Sequence, residues 1–142
     1  MNQNKSNSCQ HPKLTVDVIV FEGGKVLLVK RKYEPFAGFY ALPGGFVEYG
    51  ETTQKAVGRE VKEETGLKVE PIGVFGVYSD PKRDPKRGHI ITIVYQAEVA
   101  DGRLEPSDDT SEVAWFNLSD LPNLAFDHGK ILADFKEFLR SL

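Results

Sequence analysis

The sequence predicts an α/β fold, a mixed β-sheet with helices packed against it, and three observations carry that prediction. β-Branched apolar runs stand both before and after one capped helical stretch near the middle of the chain. A second helical pattern closes the chain. Turn chemistry separates the runs from one another. At 142 residues the chain is one domain's worth of sequence.

Taken in order, residues 1–13 have the Asn/Gln/Ser-rich composition of a flexible tail, and residues 14–142 carry the domain. LTVDVIVF from Leu14 reads as a strand. The EGGK turn at Glu22 to Lys25 leads from it into a second strand, VLLVKRK. An aromatic loop follows, with Tyr33, Phe36, Phe39 and Tyr40. Leu42-Pro43-Gly44-Gly45 is then expected to break regular structure. Residues 53–65 form a helix with Thr52 as N-cap and Gly66 as a left-handed stop. Strands are expected at 72–78, 90–99 and 113–116, with a polar loop at 79–89 and a turn at Asp101-Gly102. In the terminal stretch Ile131, Leu132, Phe135, Phe138 and Leu139 recur at helical spacing.

The formal net charge of −3 argues against general affinity for nucleic acid or anionic membranes, since neither finds a broad basic footprint. Cys9 is the single cysteine, so no intrachain disulfide forms. No apolar run approaches the roughly 20 residues that span a bilayer, and the N-terminus lacks a signal-peptide core, so the expected location is cytoplasmic.

The middle helix carries the chemistry. With Glu60 at zero on a helical wheel, Glu64 lies at about +40° and Glu63 at about −60°. Ala56 and Val57 share that sector, while Lys55 and Lys62 lie opposite. Three carboxylates on a half-buried face repel one another unless a cation compensates. Hard oxygen ligands in this number suit Mg2+ or Mn2+. Gly58, inside this helix, has no evident reason beyond close packing.

Residues 45–67, GFVEYGETTQKAVGREVKEETGL, fit G-x5-E-x7-R-E-φ-x-E-E-x-G-φ without a gap. The fixed letters coincide by chance in about 10⁻⁸ of windows at ordinary residue usage. The pattern resembles the Nudix box. The resemblance implies an α/β/α sandwich and metal-dependent hydrolysis of a diphosphate linked to another group. It assigns metal binding to Glu60, Glu63, Glu64 and the carbonyl of Gly44, orientation of a glutamate to Arg59, and a supporting carboxylate to Glu51. Candidates for the proton acceptor are Glu63 and the acids of SDDTSE, Asp108, Asp109 and Glu112, with Asp109 and Glu112 also candidates for an extra metal ligand. Family analogy also offers a homodimer.

VYSDPKRDPKRGHIITIVYQAE at 77–98 and LAFDHGKIL at 124–132 resemble small prokaryotic ADP-ribose pyrophosphatases of this family. That likeness implies hydrolysis of ADP-ribose to AMP and ribose 5-phosphate. The alternatives are a nucleoside triphosphate or oxidised-nucleotide pyrophosphohydrolase and, from another class, an ADP-ribose-sensing binding module. Candidate substrate-binding residues are Arg31, Phe36, Arg83, Arg87 and His89. Arg83 and Arg87 belong to a basic loop that is expected to hold substrate. Phe36 supplies either a stacking surface for adenine or core packing, and His128 either caps the last helix or reaches the pocket.

Overall fold

The computed structural model of the protein describes residues 10–107 and 110–142. The first nine residues of the expected tail, Cys9 among them, and the candidate acids Asp108 and Asp109 lie outside the described residues.

β1 (Lys13–Glu22) turns through Gly23 and Gly24 into β2 (Lys25–Arg31). Both glycines have positive φ, 60° and 81°, as a two-residue hairpin turn of this hand requires. Two short strands come next where the sequence suggests broken backbone: β3 (Tyr40–Ala41) and β4 (Gly44–Phe46). Pairing overrides the local signal here, because β3 lies against β2 and β4 lies antiparallel to Thr15, Val16 and Asp17 of β1.

α1 (Thr53–Thr65) runs between the predicted caps. The Thr52 hydroxyl accepts from the Lys55 amide at 3.1 Å, and Gly66, φ 81°, donates its N–H to the Lys62 carbonyl. β5 (Leu67–Tyr78) and β6 (Ile90–Gly102) both exceed their expected lengths. The expected turn at Asp101-Gly102 is strand instead, with Asp101 opposite Lys68 and Gly102 opposite Leu67. The ladder that starts directly after α1 carries the pairing this far. β7 (Thr110–Asn117) and α2 (His128–Arg140) complete the chain.

The seven strands form a mixed sheet in the order β3-β2-β1-β6-β5, with β4 paired to β1 and β7 to β2. β1 is parallel to β6 from Lys13 to Val20, and its other edge is divided. β4 lies opposite its first half, and β2 opposite only Phe21 and Glu22. The sheet therefore forks at β1, and the fork holds the site.

β1 is buried on both faces. Its alternation sends Val16, Val18 and Val20 to the cluster with Ala56, Val57 and Val61 of α1. Ile19 packs on the other side with Ile131, Leu132 and Phe135 of α2. This is the α/β/α sandwich expected. Burying each larger aliphatic side chain contributes about 1.5–3 kcal/mol. The same alternation places Asp17 on the α2 side.

Close packing does not explain Gly58, because a Cβ built there meets nothing within 4 Å. Gly58→Ala should therefore stabilise the protein by about 0.5–1 kcal/mol through helix propensity. A denaturant titration checks this, and a lowered midpoint would show a constraint on that helix face that the packing does not reveal.

Candidate active site

α1 presents Glu60 and Glu64 to the fold, while Glu63, Lys55 and Lys62 face solvent. Glu60 stands close enough to Glu64 to act on its carboxyl. Burial, reinforced by Glu60, pushes the Glu64 carboxyl well above the usual carboxylate range. The Gly44 amide donates to Glu64 Oε1 at 3.3 Å. Space for Glu60 comes from Gly45, since a Cβ at that position would overlap the Glu60 carboxylate. A Cβ at Gly44 would overlap the backbone of Val16 and the side chain of Asp17. Backbone contact requires glycine at Gly44, and a side chain at Gly45 would displace the Glu60 carboxylate.

Glu63 does not join the pair. Its carboxylate is 58% exposed and binds Arg59 at 3.3 Å. Among the described residues no three His, Cys, Asp or Glu side chains stand together in ligating position. Of the three expected carboxylates, Glu60 and Glu64 face the fold and Glu63 lies outward beside Arg59.

Arg59 binds far more than Glu63. Its Nε and Nη2 donate to the two oxygens of Glu51 at 2.6 and 2.9 Å, a bidentate pair. Nη1 reaches Glu60 at 3.0 Å, and Nη2 reaches the Phe46 carbonyl at 3.1 Å. One guanidinium thereby fixes the box loop, β4 and the inward glutamate together. Hydrogen bonds from Arg59, then from the Glu48 amide, hold the Glu51 carboxyl down at about 2 against an ordinary 4.5. A depressed folded-state pKa contributes stability above the unfolded value, and that contribution is lost as pH falls toward the folded one. Unfolding free energy should accordingly decline between pH 4.5 and about 2, and Glu51→Gln should make the decline shallower. Parallel acid profiles for the two proteins would show that the pair is not coupled to folding.

Glu64, Gly44 and Gly45 open into a cleft of about 280 Å³ whose other walls include Asp17, Arg31, Arg83, Arg87, Phe126 and His128. Asp17 went unnoticed in the sequence, although a lone acid within TVDVIV was the available signal. It is buried, yet its carboxyl lies below the usual range. Burial opposes that, but contacts with His128, Thr92 and Arg83 outweigh it. The Thr92 hydroxyl donates to Asp17 Oδ2 at 2.7 Å.

The basic loop is ordered by its own acids and is no loose anion trap. Arg83, expected to be a substrate residue on a flexible connection, has a side chain only 5% exposed. It donates twice to Asp127, at 2.9 and 2.7 Å, and lies 3.7 Å from Asp17. It lines the cleft as part of its frame. Buried Asp84 accepts from the Lys86 and Arg87 amides and from Arg87 Nε, which fixes Arg87 beside the cleft. The Arg87 guanidinium lies over Phe46 and Phe126 at 5.4 and 5.3 Å, and Arg31 lies over Phe126 at 5.0 Å. Arg31 donates to the Pro35 carbonyl and has no ion-pair partner among the described residues. Burial and the facing Arg87 lower its pKa.

Three other candidates fall away from the cleft. Phe36 packs edge-on against Phe39 and Phe126, so it backs the wall and does not face a ligand. His89 is exposed, and its ring bonds the Ser79 carbonyl at 2.9 Å across the ends of β5 and β6. Glu112 is exposed on β7 and accepts the Tyr40 hydroxyl at 2.6 Å, which leaves it outside the cleft lining.

The NUDIX domain family model matches residues 11–135. The chain belongs to the Nudix family. It is 54% identical over 125 residues to the ADP-ribose pyrophosphatase of Methanocaldococcus jannaschii, covering 88% of this chain and 73% of that protein. Several other curated relatives are longer, and the chain spans about two fifths of their length. Among solved structures it resembles the Nudix domain of Shewanella oneidensis NrtR complexed with ADP-ribose. The TM-score is 0.80 with 30% identity, covering 94% of this chain and 92% of that one. It also resembles a Francisella tularensis bifunctional NMN adenylyltransferase/ADP-ribose pyrophosphatase complexed with AMP and a manganese ion. There the TM-score is 0.81 with 27% identity, covering 92% of this chain and 42% of that one. Nudix hydrolases use divalent metals. The donors here fit that use, because the buried Glu64 carboxyl with Glu60 beside it offers carboxylate oxygens whose crowding a hard dication relieves. Among the described residues no helix is long and apolar enough to cross a membrane.

Proposed function

We propose that the protein is a cytoplasmic Mg2+-dependent pyrophosphatase that hydrolyses ADP-ribose to AMP and ribose 5-phosphate. Glu60, Glu64 and the Gly44 carbonyl would hold the cation, with Mn2+ as an effective substitute. When bound there, a divalent ion neutralises diphosphate charge and lowers the pKa of an attacking water. The observation that carries the reading is the cleft itself. It joins Glu64, with Glu60 behind it, to the cationic and aromatic wall of Arg31, Arg87 and Phe126. The 54% identity to an ADP-ribose pyrophosphatase supports the choice of substrate.

Arg31 and Arg87 bind the diphosphate, since both are fixed beside the cleft and Arg31 forms no ion pair among the described residues. Glu63 faces solvent beside Arg59, so it can take the proton from the attacking water only by turning its carboxylate toward the cation as the P–O–P linkage opens. Water adds to one phosphorus, the bridging oxygen leaves with the other, and two phosphomonoesters result.

Product profiling against ADP-ribose, NADH, diadenosine polyphosphates, sugar nucleotides and nucleoside triphosphates with Mg2+ tests the assignment. ADP-ribose should give the highest kcat/KM. A triphosphate in first place would replace the substrate, and binding of ADP-ribose without turnover would make the protein a sensor.

A further inference from the structure

Three consecutive residues at the start of α2 each hold a different wall of the cleft. Phe126, in the left-handed region with φ 54°, offers its ring to Arg31 and Arg87. Asp127 clamps Arg83. His128, 3% exposed, accepts the Leu42 amide on Nδ1 at 3.0 Å. An amide donor requires a lone pair on Nδ1, so the ring proton belongs on Nε2. Nε2 faces Asp17 Oδ2 at 3.5 Å, and the Thr92 hydroxyl holds that same oxygen at 2.7 Å. A continuous polar chain thus runs from β6 through β1 and α2 to Leu42.

Leu42 matters because it leads the backbone into Pro43 and Gly44. A backbone carbonyl has no rotamers, so a carbonyl ligand is aimed only by fixing the peptide groups around it. Pro43 has no N–H to offer. Leu42 lies between β3 and β4, outside both ladders, and its amide is the last donor before Gly44. Beyond it, the Pro43 carbonyl accepts from the Val18 amide at 2.9 Å, and the Gly44 amide meets Glu64.

We infer that His128 is a positioning residue for the metal-binding backbone, using Nδ1 to set the Leu42–Gly45 segment and Asp17 to set its own ring. The inference rests on the reading of Glu60, Glu64 and Gly44 as cation ligands. A ring that merely filled space at the helix start would contribute to stability alone. A ring that positions the backbone contributes to metal affinity, as partners of metal ligands do, typically by ten- to a hundredfold.

The experiment compares wild type with His128→Asn, His128→Gln and His128→Leu. Mn2+ affinity is measured by electron paramagnetic resonance of the free ion, alongside kcat and KM for ADP-ribose. Asn places its carbonyl oxygen near the position of Nδ1 and keeps the acceptor for Leu42. Gln carries its oxygen one bond too far, and Leu has none. His128→Gln and His128→Leu should weaken Mn2+ binding about tenfold or more and lower kcat, with KM within a few-fold. His128→Asn should stay within about threefold of wild type on both measures. Equal Mn2+ affinity in all the variants overturns the inference, as does a His128→Asn protein as impaired as His128→Gln. Wild-type protein that binds no Mn2+, or a Glu60→Gln/Glu64→Gln protein that binds it undiminished, refutes the underlying ligand assignment and this inference with it.

Discussion

Replacing Glu60 or Glu64 by glutamine should lower kcat on ADP-ribose at least about a hundredfold, the scale of removing a major charge stabilisation. Glutamine keeps the size and hydrogen bonding of the side chain but not its charge. The folded protein should tolerate the change at Glu64, where burial already disfavours a charge, and at Glu60, where a glutamine oxygen still accepts from Arg59. Gly45→Ala should produce a comparable loss without altering any charge, since its Cβ would overlap the Glu60 carboxylate. Steady-state rates across a Mg2+ titration, with unfolding curves alongside, check all three variants. Near-normal rates in both glutamine variants, with Mg2+ failing to saturate, would remove these residues from the chemistry.

Arg83→Ala should destabilise the protein by about 3 kcal/mol, toward the lower end for breaking a buried ion pair because Asp127 keeps some solvent contact. At this chain length that corresponds to a fall in Tm of roughly 10 °C. The loss arises from what the arginine leaves behind: Asp127 loses a bidentate partner, and Asp17 loses a cation 3.7 Å away. Arg87→Ala is the control. Its side chain is 37% exposed, and Asp84 retains the Lys86 and Arg87 amides after the guanidinium is gone. That variant should cost less than Arg83→Ala, because those two amides still compensate the buried Asp84 carboxylate, and act mainly on KM. Denaturant midpoints and kinetics for the pair separate the two roles. An Arg83→Ala protein with a wild-type midpoint and only a raised KM would return Arg83 to substrate binding.

These two results concern residues that the sequence ranks differently from the structure. Both arginines lie in one short run of basic residues, and composition treats them alike. Asp127 and Asp84 tell them apart. One belongs to the segment entering α2, 44 positions away, and the other to the loop itself. A charge run gives the number of cations in a loop, whereas their partners decide how many remain for a ligand.

What the sequence determined by itself was local in origin. Thr52, Gly66 and the apolar positions between them set α1 to the residue, because capping and helical periodicity act within a few positions. The inward placement of Glu60 and Glu64 came from the same period, and the need for Gly44 and Gly45 was visible in the box. Tertiary structure decided whatever depended on pairing between distant segments. β3 and β4 exist because β2 and β1 are there to pair with them, against the breaking tendency of Leu42-Pro43-Gly44-Gly45. Glu112 was taken by Tyr40, 72 positions away, and the His89 ring by the Ser79 carbonyl. Asp17 and His128 acquired their roles only when β1, β6 and α2 met at the fork of the sheet. A buried polar group is defined by the partners that compensate its burial, and for these residues the partners lie 75 and 86 positions away along the chain.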